Sequence, residues 1–367
     1  MFFIARKNLF QDKTRLLISV GGVAFSVVLI IVLQGLYQGW SNKIGEYIRT
    51  VPADIWVMQS GSEDMFHTPS VLPLTVADNL KEVEGVESAK PFNARRLAIH
   101  FKDQDLNLYI VAYDSANDVG KPAKIVEGKA TPGPGEVILD RSQRKKVRIG
   151  DTLSIAGQQL KVVGFAEGGD LVTSSFAFAQ KDEINKIQKL PDSANFFVVR
   201  VSPGANTDTV IQSIKTGVEN VDAVTKDKFV TNNVKIVADN FLPVILVLLI
   251  IGVVVGIAVI GLTIFTSTVE KAKEYGVLKA IGMRNSQLYW AVVQQALLAG
   301  AIGFSLGAII AFILQGTVGQ MVPQFVTQIQ AFDIVWIFGL TLLMSVTAAY
   351  IPIRRIAHID PAEVFKA

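Results

Sequence analysis

Three stretches of this sequence carry no charged side chain over at least the thickness of a hydrocarbon layer, and no other feature constrains the fold so tightly. Residues 16–42, LLISVGGVAFSVVLIIVLQGLYQGWSN, contain no Asp, Glu, Lys or Arg; neither does the run between Asp239 and Glu270, nor the run from Asn285 to Phe332. A helix needs about 20 apolar residues to cross a bilayer, and only segments that satisfy their own backbone N–H and C=O groups can do so. The first two runs supply one crossing each. The third holds one crossing, a turn containing Gly, Gln and Pro, and the start of another crossing that ends at Arg354 and Arg355. The expected crossings are therefore 16–40, 240–269, 285–316 and 332–353, with a turn at 317–331. Pro243 would then fall in the first turn of the second crossing, where a helix tolerates it.

Charge orients the chain. Arg6, Lys7, Lys13 and Arg15 lie in the segment 1–15 before the first crossing, Lys271 to Arg284 is basic, and Arg354 and Arg355 open the tail 354–367. The positive-inside rule puts all three places on the cytoplasmic side of a cell (inner) membrane, with both termini inside. A cleaved signal peptide has a shorter apolar core and small residues at its end; Gln34-Gly35-Leu36-Tyr37 offers no such site, so the first crossing reads as an uncleaved anchor. Hydrophobic residues make up 50% of the chain and mean hydropathy is +0.40, too apolar for an ordinary soluble enzyme. A net charge of +3 gives no reason to expect nucleic acid as a partner, and the lack of cysteine removes disulfides, thiolate nucleophiles and Cys-based metal sites.

Residues 41–239 have the composition of a soluble domain and are expected on the outer face as an α+β domain in two lobes. Residues 51–58 read as a strand and 75–84 as a short helix; 95–101 and 106–112 form a hairpin around Asp103-Gln104-Asp105. Gly133-Pro134-Gly135 introduces EVILDR, and 149–155 with 160–165 alternate as strands around Ala156-Gly157. Residues 196–201 are a further strand, 207–219 a helix, and 222–240 a stalk returning to the membrane.

Between the second and third crossings lies the segment 270–284. Glu270, Lys271, Lys273 and Glu274 pair at i,i+3, while Tyr275, Leu278 and Ile281 recur at helical spacing, so the segment reads as an amphipathic helix that lies on a membrane surface or docks a partner. Gly276 and Gly282 are candidate close-approach or helix-ending positions. Gly252 and Gly256 form a G-x-x-x-G, and Ala299, Gly303, Gly307 and Ala311 a ridge of small residues, both suited to close helix contacts within or between protomers.

The string from Glu274 to Met283, EYGVLKAIGM, resembles the cytoplasmic coupling segment of FtsX-like ABC permeases, a family that includes lipoprotein-releasing and MacB-like exporter subunits, also called type VII or mechanotransmission transporters. G-E-V-I-L, I-G-D-T-L and K-V-V-G-F are similar to the extracytoplasmic domain of the MacB-like members, and Lys13-Thr14-Arg15-Leu16-Leu17 also resembles permeases of the heterocyst glycolipid exporter type. Ile351-Pro352-Ile353-Arg354-Arg355 followed by Asp360-Pro361-Ala362-Glu363 resembles the family's C-terminal signature. The resemblance implies an α-helical membrane protein with four transmembrane helices and a large α+β extracytoplasmic domain between helices 1 and 2. It further implies a permease acting as a dimer with a second copy, a separate ATPase subunit that binds ATP and Mg, and a membrane-fusion adaptor as a further partner. Glu270, Lys271, Glu274, Tyr275, Gly276, Leu278, Lys279 and Gly282 would couple to the ATPase, and Arg354, Arg355, Asp360, Pro361 and Glu363 would help dock it. The arginines can also hold phospholipid headgroups.

Catalytic chemistry is scarce. His67, His100 and His358 are scattered along the chain, so a His-based metal site or triad is not expected, and Asp103 and Asp105 suit a solvated turn. No G-x-x-x-x-G-K-[ST] string occurs, so no P-loop cradles a nucleotide here, and the chain is expected to bind no cofactor itself. The first three crossings lack the buried charge of an ion relay. The resulting expectation is the permease subunit of an ATP-driven exporter or mechanotransmission complex. An FtsX-type regulator of an extracellular cell-wall hydrolase, and a sensor or scaffold without an ATPase, are the alternatives.

Overall fold

A computed structural model describes residues 11–171, 174–188, 192–322 and 325–357. The chain divides into two compact units, Trp40–Asp239 and the rest.

In the outer unit, helix α1 (Lys13–Thr50) leads to strand β1 (Ile55–Gln59), the short β2 (Leu72–Pro73), helix α2 (Val76–Lys81) and β3 (Val86–Phe92). Strands β4 (Ala94–Phe101), β5 (Gln104–Tyr113), β6 (Lys124–Gly128), β7 (Glu136–Asp140), β8 (Thr152–Ile155), β9 (Gln158–Glu167) and β10 (Ser175–Gln180) follow. Helix α3 (Lys181–Gln188), β11 (Ser193–Ala194), β12 (Phe196–Val201), helix α4 (Thr207–Gly217) and β13 (Val221–Thr225) complete it. The sheet β13-β1-β12-β3 is antiparallel throughout. With its two crossover helices it is a β-α-β-β-α-β unit, the split βαβ motif. Between its second and third strands is inserted a mixed seven-stranded sheet, β4-β5-β10-β7-β9-β6 with β8 on β9. Two lobes interrupted in the chain are thus present.

Alternation places the core. Ile55 and Val57 of β1 and Phe197 and Val199 of β12 pack with Leu80 of α2 and Val210 and Ile214 of α4. From the opposite face of the same strands, Trp56, Met58, Phe196 and Val198 meet Tyr109, Val111, Ile138 and Phe176 of the second sheet. The far side of that sheet packs Leu108, Ile110 and Leu139 on Leu153 of β8 and Ile184 of α3. Central strands buried on both faces read as unbroken apolar runs such as FFVV and FAFA, which is what such burial requires. The hairpin at Ala156 and Gly157 has φ +47° and +87°, the left-handed pair of a two-residue turn.

Among the described residues four helices are long and apolar enough to cross a bilayer. Helix α5 (Lys226–Glu270) is followed by α6 (Ala272–Ala280), α7 (Asn285–Met321), α8 (Ala331–Ala348) and α9 (Tyr350–Ala357). Two expectations need correction. Residues 221–225 are a sheet strand rather than stalk, and α5 starts directly after them, so Pro243 is interior to a 45-residue helix. Its ring removes the one N–H that would bond the Asp239 carbonyl, a local defect the helix runs through. Helix α7 continues to Met321, so the turn is shorter than 317–331. The last crossing spans Ala331–Arg355, close to the expected 332–353, with a local irregularity at Ala349 because Pro352 cannot donate to Ala348 and its ring crowds that carbonyl.

The glycine ridges sit at helix contacts inside the chain. A Cβ on Gly303 would lie 2.6 Å from Val23 Cβ, and one on Gly307 would lie 2.8 Å from the Ala24 carbonyl oxygen. Gly256 is pressed against Met344 and Ser26, whereas at Gly252 a Cβ would make an ordinary 3.4 Å contact with Leu29. Small residues thereby let α1 approach both α5 and α7 in a setting where packing drives association.

Candidate coupling site

Helix α5 ends at Glu270, and a one-residue break at Lys271 (φ −89°, ψ +14°) separates it from α6. Two contacts pin the break to the start of α1: the Arg15 guanidinium donates to the Glu270 carboxylate, and Lys271 Nζ donates to Gln11 Oε1 at 2.8 Å. Arg15 also pairs with Asp12 at 3.0 Å. Sequence reasoning gave Arg15 no contact across the bundle, and nothing local announces a partner 255 positions away.

The far end of α6 is fixed as firmly. Gly282 has φ +97°, its N–H donates to the Lys279 carbonyl, and the Met283 N–H reaches back to the Leu278 carbonyl, both at 3.0 Å. This is a Schellman turn; a side chain at Gly282 would be strained in the left-handed region. Leu278 and Met283 pack against the membrane-unit core together, the apolar contact that accompanies such a cap. The Arg284 N–H then donates to Gln287 Oε1 at 3.0 Å and opens α7.

Between its ends α6 is seated by one face. Tyr275 is 3% exposed and shares a cluster with Ile264, Leu288 and Val292, and Gly276 beside it is buried. Leu278, Lys271 and Lys279 are half-buried, while Lys273, Glu274, Val277 and Gly282 are exposed. Ile281, expected with Tyr275 and Leu278 to turn toward lipid or the ends of the crossings, is 79% exposed and lies outside the buried cluster of Tyr275. Each three-residue step falls about 60° short of a full helical turn, so two steps from Tyr275 carry Ile281 round to the outer face. The exposed tip is consequently mixed, with Glu274 and Lys273 beside Val277 and Ile281.

The second proposed cluster is only partly visible. Arg354 and Arg355 are exposed on α9, with Arg354 over the Tyr350 ring at 4.7 Å, and Asp360, Pro361 and Glu363 lie outside the described residues. Sequence reasoning also passed over Asp333. It is buried at the start of α8, where its carboxylate accepts from Gln34 Nε2 at 3.2 Å, Trp336 Nε1 at 3.3 Å and the Gln330 N–H at 3.1 Å. Its place beside the expected boundary at Phe332 disguised it as a flanking charge. Of the histidines, His100 meets Asp105 at 2.9 Å on an exposed hairpin, His67 lies near Asp64, and His358 is outside the described residues. Among the described residues no three His, Asp or Glu side chains converge to hold a metal.

Comparison with known proteins agrees with this architecture. The family model described as MacB-like periplasmic core domain matches residues 16–216, and that described as FtsX-like permease C-terminal matches residues 246–361. An uncharacterized ABC transporter permease of Mycobacterium tuberculosis strain H37Rv is 21% identical over 100% of this chain and 99% of its own. A protein of Staphylococcus haemolyticus bearing the name of a hemin transport system permease is 21% identical over 91% of each chain. The crystal structure of the periplasmic region of MacB from Actinobacillus actinomycetemcomitans superposes with a TM-score of 0.36 at 17% identity, covering 54% of this chain and 98% of that one. The first model alone takes in more than half of the sequence and the second takes in the later crossings together with α6, so the chain belongs to the FtsX-like, MacB-like family of ABC transporter permeases.

Proposed function

We propose that this permease passes motion generated by a separate ATPase subunit to its outer domain, with α6 as the receiving element. The observation that carries the reading is the construction of α6: a helix seated through Tyr275 and Gly276, ended by a Schellman turn and anchored at its start by Arg15 and Glu270, yet exposing Glu274, Val277 and Ile281. A push on the exposed tip reaches the bundle because neither end of α6 can give independently. Helix α5 begins where the outer unit's last strand stops and ends at Glu270, so the chain offers a continuous helical connection for that motion. ATP and Mg would belong to the partner. In this reading α6 and both termini are cytoplasmic and the residues 41–239 face outward across the inner membrane, consistent with the basic residues at all three inner places. Export is the associated activity, carried out with a second copy of the chain and, where one exists, an adaptor.

The test is to isolate the chain with its lipids from native membranes and assay for a co-purifying ATP-binding subunit whose hydrolysis rises when the chain is present. Hydrolysis unchanged by the permease would refute the proposal.

A further inference from the structure

The outer unit contains a cavity of about 160 Å³ that the coupling reading does not use. Its apolar lining is formed by Ile44 near the end of α1, Phe66, Leu171 and the ring of Tyr109, with His67 and Ser174 as polar lining. The wall is rigidly built. Tyr109 donates its hydroxyl to the Met65 carbonyl, which fixes the ring and satisfies its polar atom, and Phe66 packs against it edge-on with centroids 5.2 Å apart.

Arg96 completes the lining. It stands directly opposite Tyr109 in the β4–β5 register, so both side chains leave the sheet on the same face. The neighbours of Arg96 on that face of β4 are Ala94 and Ala98, too small to cover it. Arg96 is exposed, and among the described residues its guanidinium forms no salt bridge. The nearby carboxylate is committed elsewhere: Asp64 Oδ1 accepts the backbone N–H groups of both Phe66 and His67 at 2.7 Å and lies 3.6 Å from the His67 ring. Burial holds the Tyr109 phenol well above its ordinary pKa; Asp64 adds to that shift and Arg96 opposes it, so both charges act at this wall.

Size and charge together select a ligand class. An enclosed apolar cavity of about 150 Å³ accepts benzene; this one is open and carries His67, Ser174 and Arg96 in its lining, but its volume has room for a single ring or a short branched acyl group against Phe66, Tyr109 and Leu171. A lone guanidinium at the rim suits a carboxylate or sulfonate, which it can bind in a bidentate manner. We propose that the cavity binds amphipathic organic anions, the apolar end inside and the acidic group on Arg96. Such binding needs no ATPase, so it stands or falls separately from the coupling role of α6.

The experiment uses the full chain in lipid nanodiscs and saturation-transfer NMR titrations of 4-phenylbutyrate, 4-phenylbutanol and 4-phenylbutylammonium, with empty nanodiscs subtracted. The expected order is butyrate about tenfold tighter than the alcohol, as one charge-assisted contact implies, and the ammonium weakest. Arg96→Gln, at an exposed strand position that leaves the core intact, should bring the butyrate to the level of the alcohol. Ser174→Trp, which puts an indole into the lining, should abolish binding of both. Equal binding of butyrate and ammonium, no saturable butyrate binding, or butyrate affinity unchanged in Arg96→Gln would each overturn the proposal; the last comparison holds even if the Trp variant fails to fold.

Discussion

Replacing Gly307 by alanine should destabilise the membrane unit, although alanine is the better helix former. The added Cβ would lie 2.8 Å from the Ala24 carbonyl oxygen and 2.8 Å from Val27 Cβ. Comfortable carbon contacts are about 3.5–4.0 Å, so α7 must retreat from α1 by several tenths of an ångström, and neither a backbone oxygen nor a Cβ can rotate aside. Overpacking of this kind costs about 1–3 kcal/mol, and alanine's helix propensity returns at most about 1 kcal/mol. The net expectation is a loss of up to about 2 kcal/mol. Gly316, in the same helix, has nothing within 4 Å of its Cβ position, so Gly316→Ala should be neutral or stabilising. Thermal unfolding of the two variants in nanodiscs should therefore move in opposite directions. A Gly307→Ala protein as stable as Gly316→Ala would show that the ridge is not a packed contact and refute the reasoning.

Three further outcomes are expected. Arg15→Ala, or Glu270→Ala, should cost no more than about 1 kcal/mol because the pair is partly exposed, and the exchanged double variant Arg15→Glu/Glu270→Arg should recover part of it in a double-mutant unfolding cycle. In the outer unit the Glu136 carboxyl is held below its ordinary pKa by Lys129 and the Gly133 N–H, and Glu167 by Lys124 and Arg141. A depressed folded-state pKa gives stability that is present above the unfolded value, about 4.3, and lost as pH falls through the folded one, so melting temperature should drop on acidification below that value and drop less in Glu136→Gln. Reporter fusions at His67, Lys145 and Asp192 should report the outside and fusions at Lys273 and after Ala367 the inside; an inside signal at Lys145 would contradict the orientation.

Much of this molecule could be read from its residues because lipid makes the rules strict. The uncharged runs could only be helices, and the positions of Gly303 and Gly307 had one obvious use in a bundle. The hairpin at Ala156 and Gly157 and the strand Phe196–Val201 followed from turn chemistry and β-branched, aromatic composition. What escaped was non-local. Strand β10 and helix α3 owe their places to pairing across the inserted sheet, which no window of sequence records. Arg15 with Glu270 and Asp333 with Gln34 are contacts between distant segments, and no single window of sequence pairs them. Ile281 parts from Tyr275 because spacing by threes follows a helical stripe for only two turns.

The most direct test of the coupling role is Ile281→Asp, assayed for ATPase binding and permease-stimulated hydrolysis in nanodiscs. At 79% exposure the side chain contributes little to the fold, so thermal stability should match the parent. If the tip of α6 is the docking surface, losing a buried Ile from the contact costs about 2 kcal/mol, a roughly 30-fold weaker association, with stimulated hydrolysis falling in parallel. Gly276→Trp, which unseats α6 from the bundle, should leave the ATPase bound but unstimulated. Parental affinity and parental stimulation in both proteins would show that α6 is only a connection between two crossings.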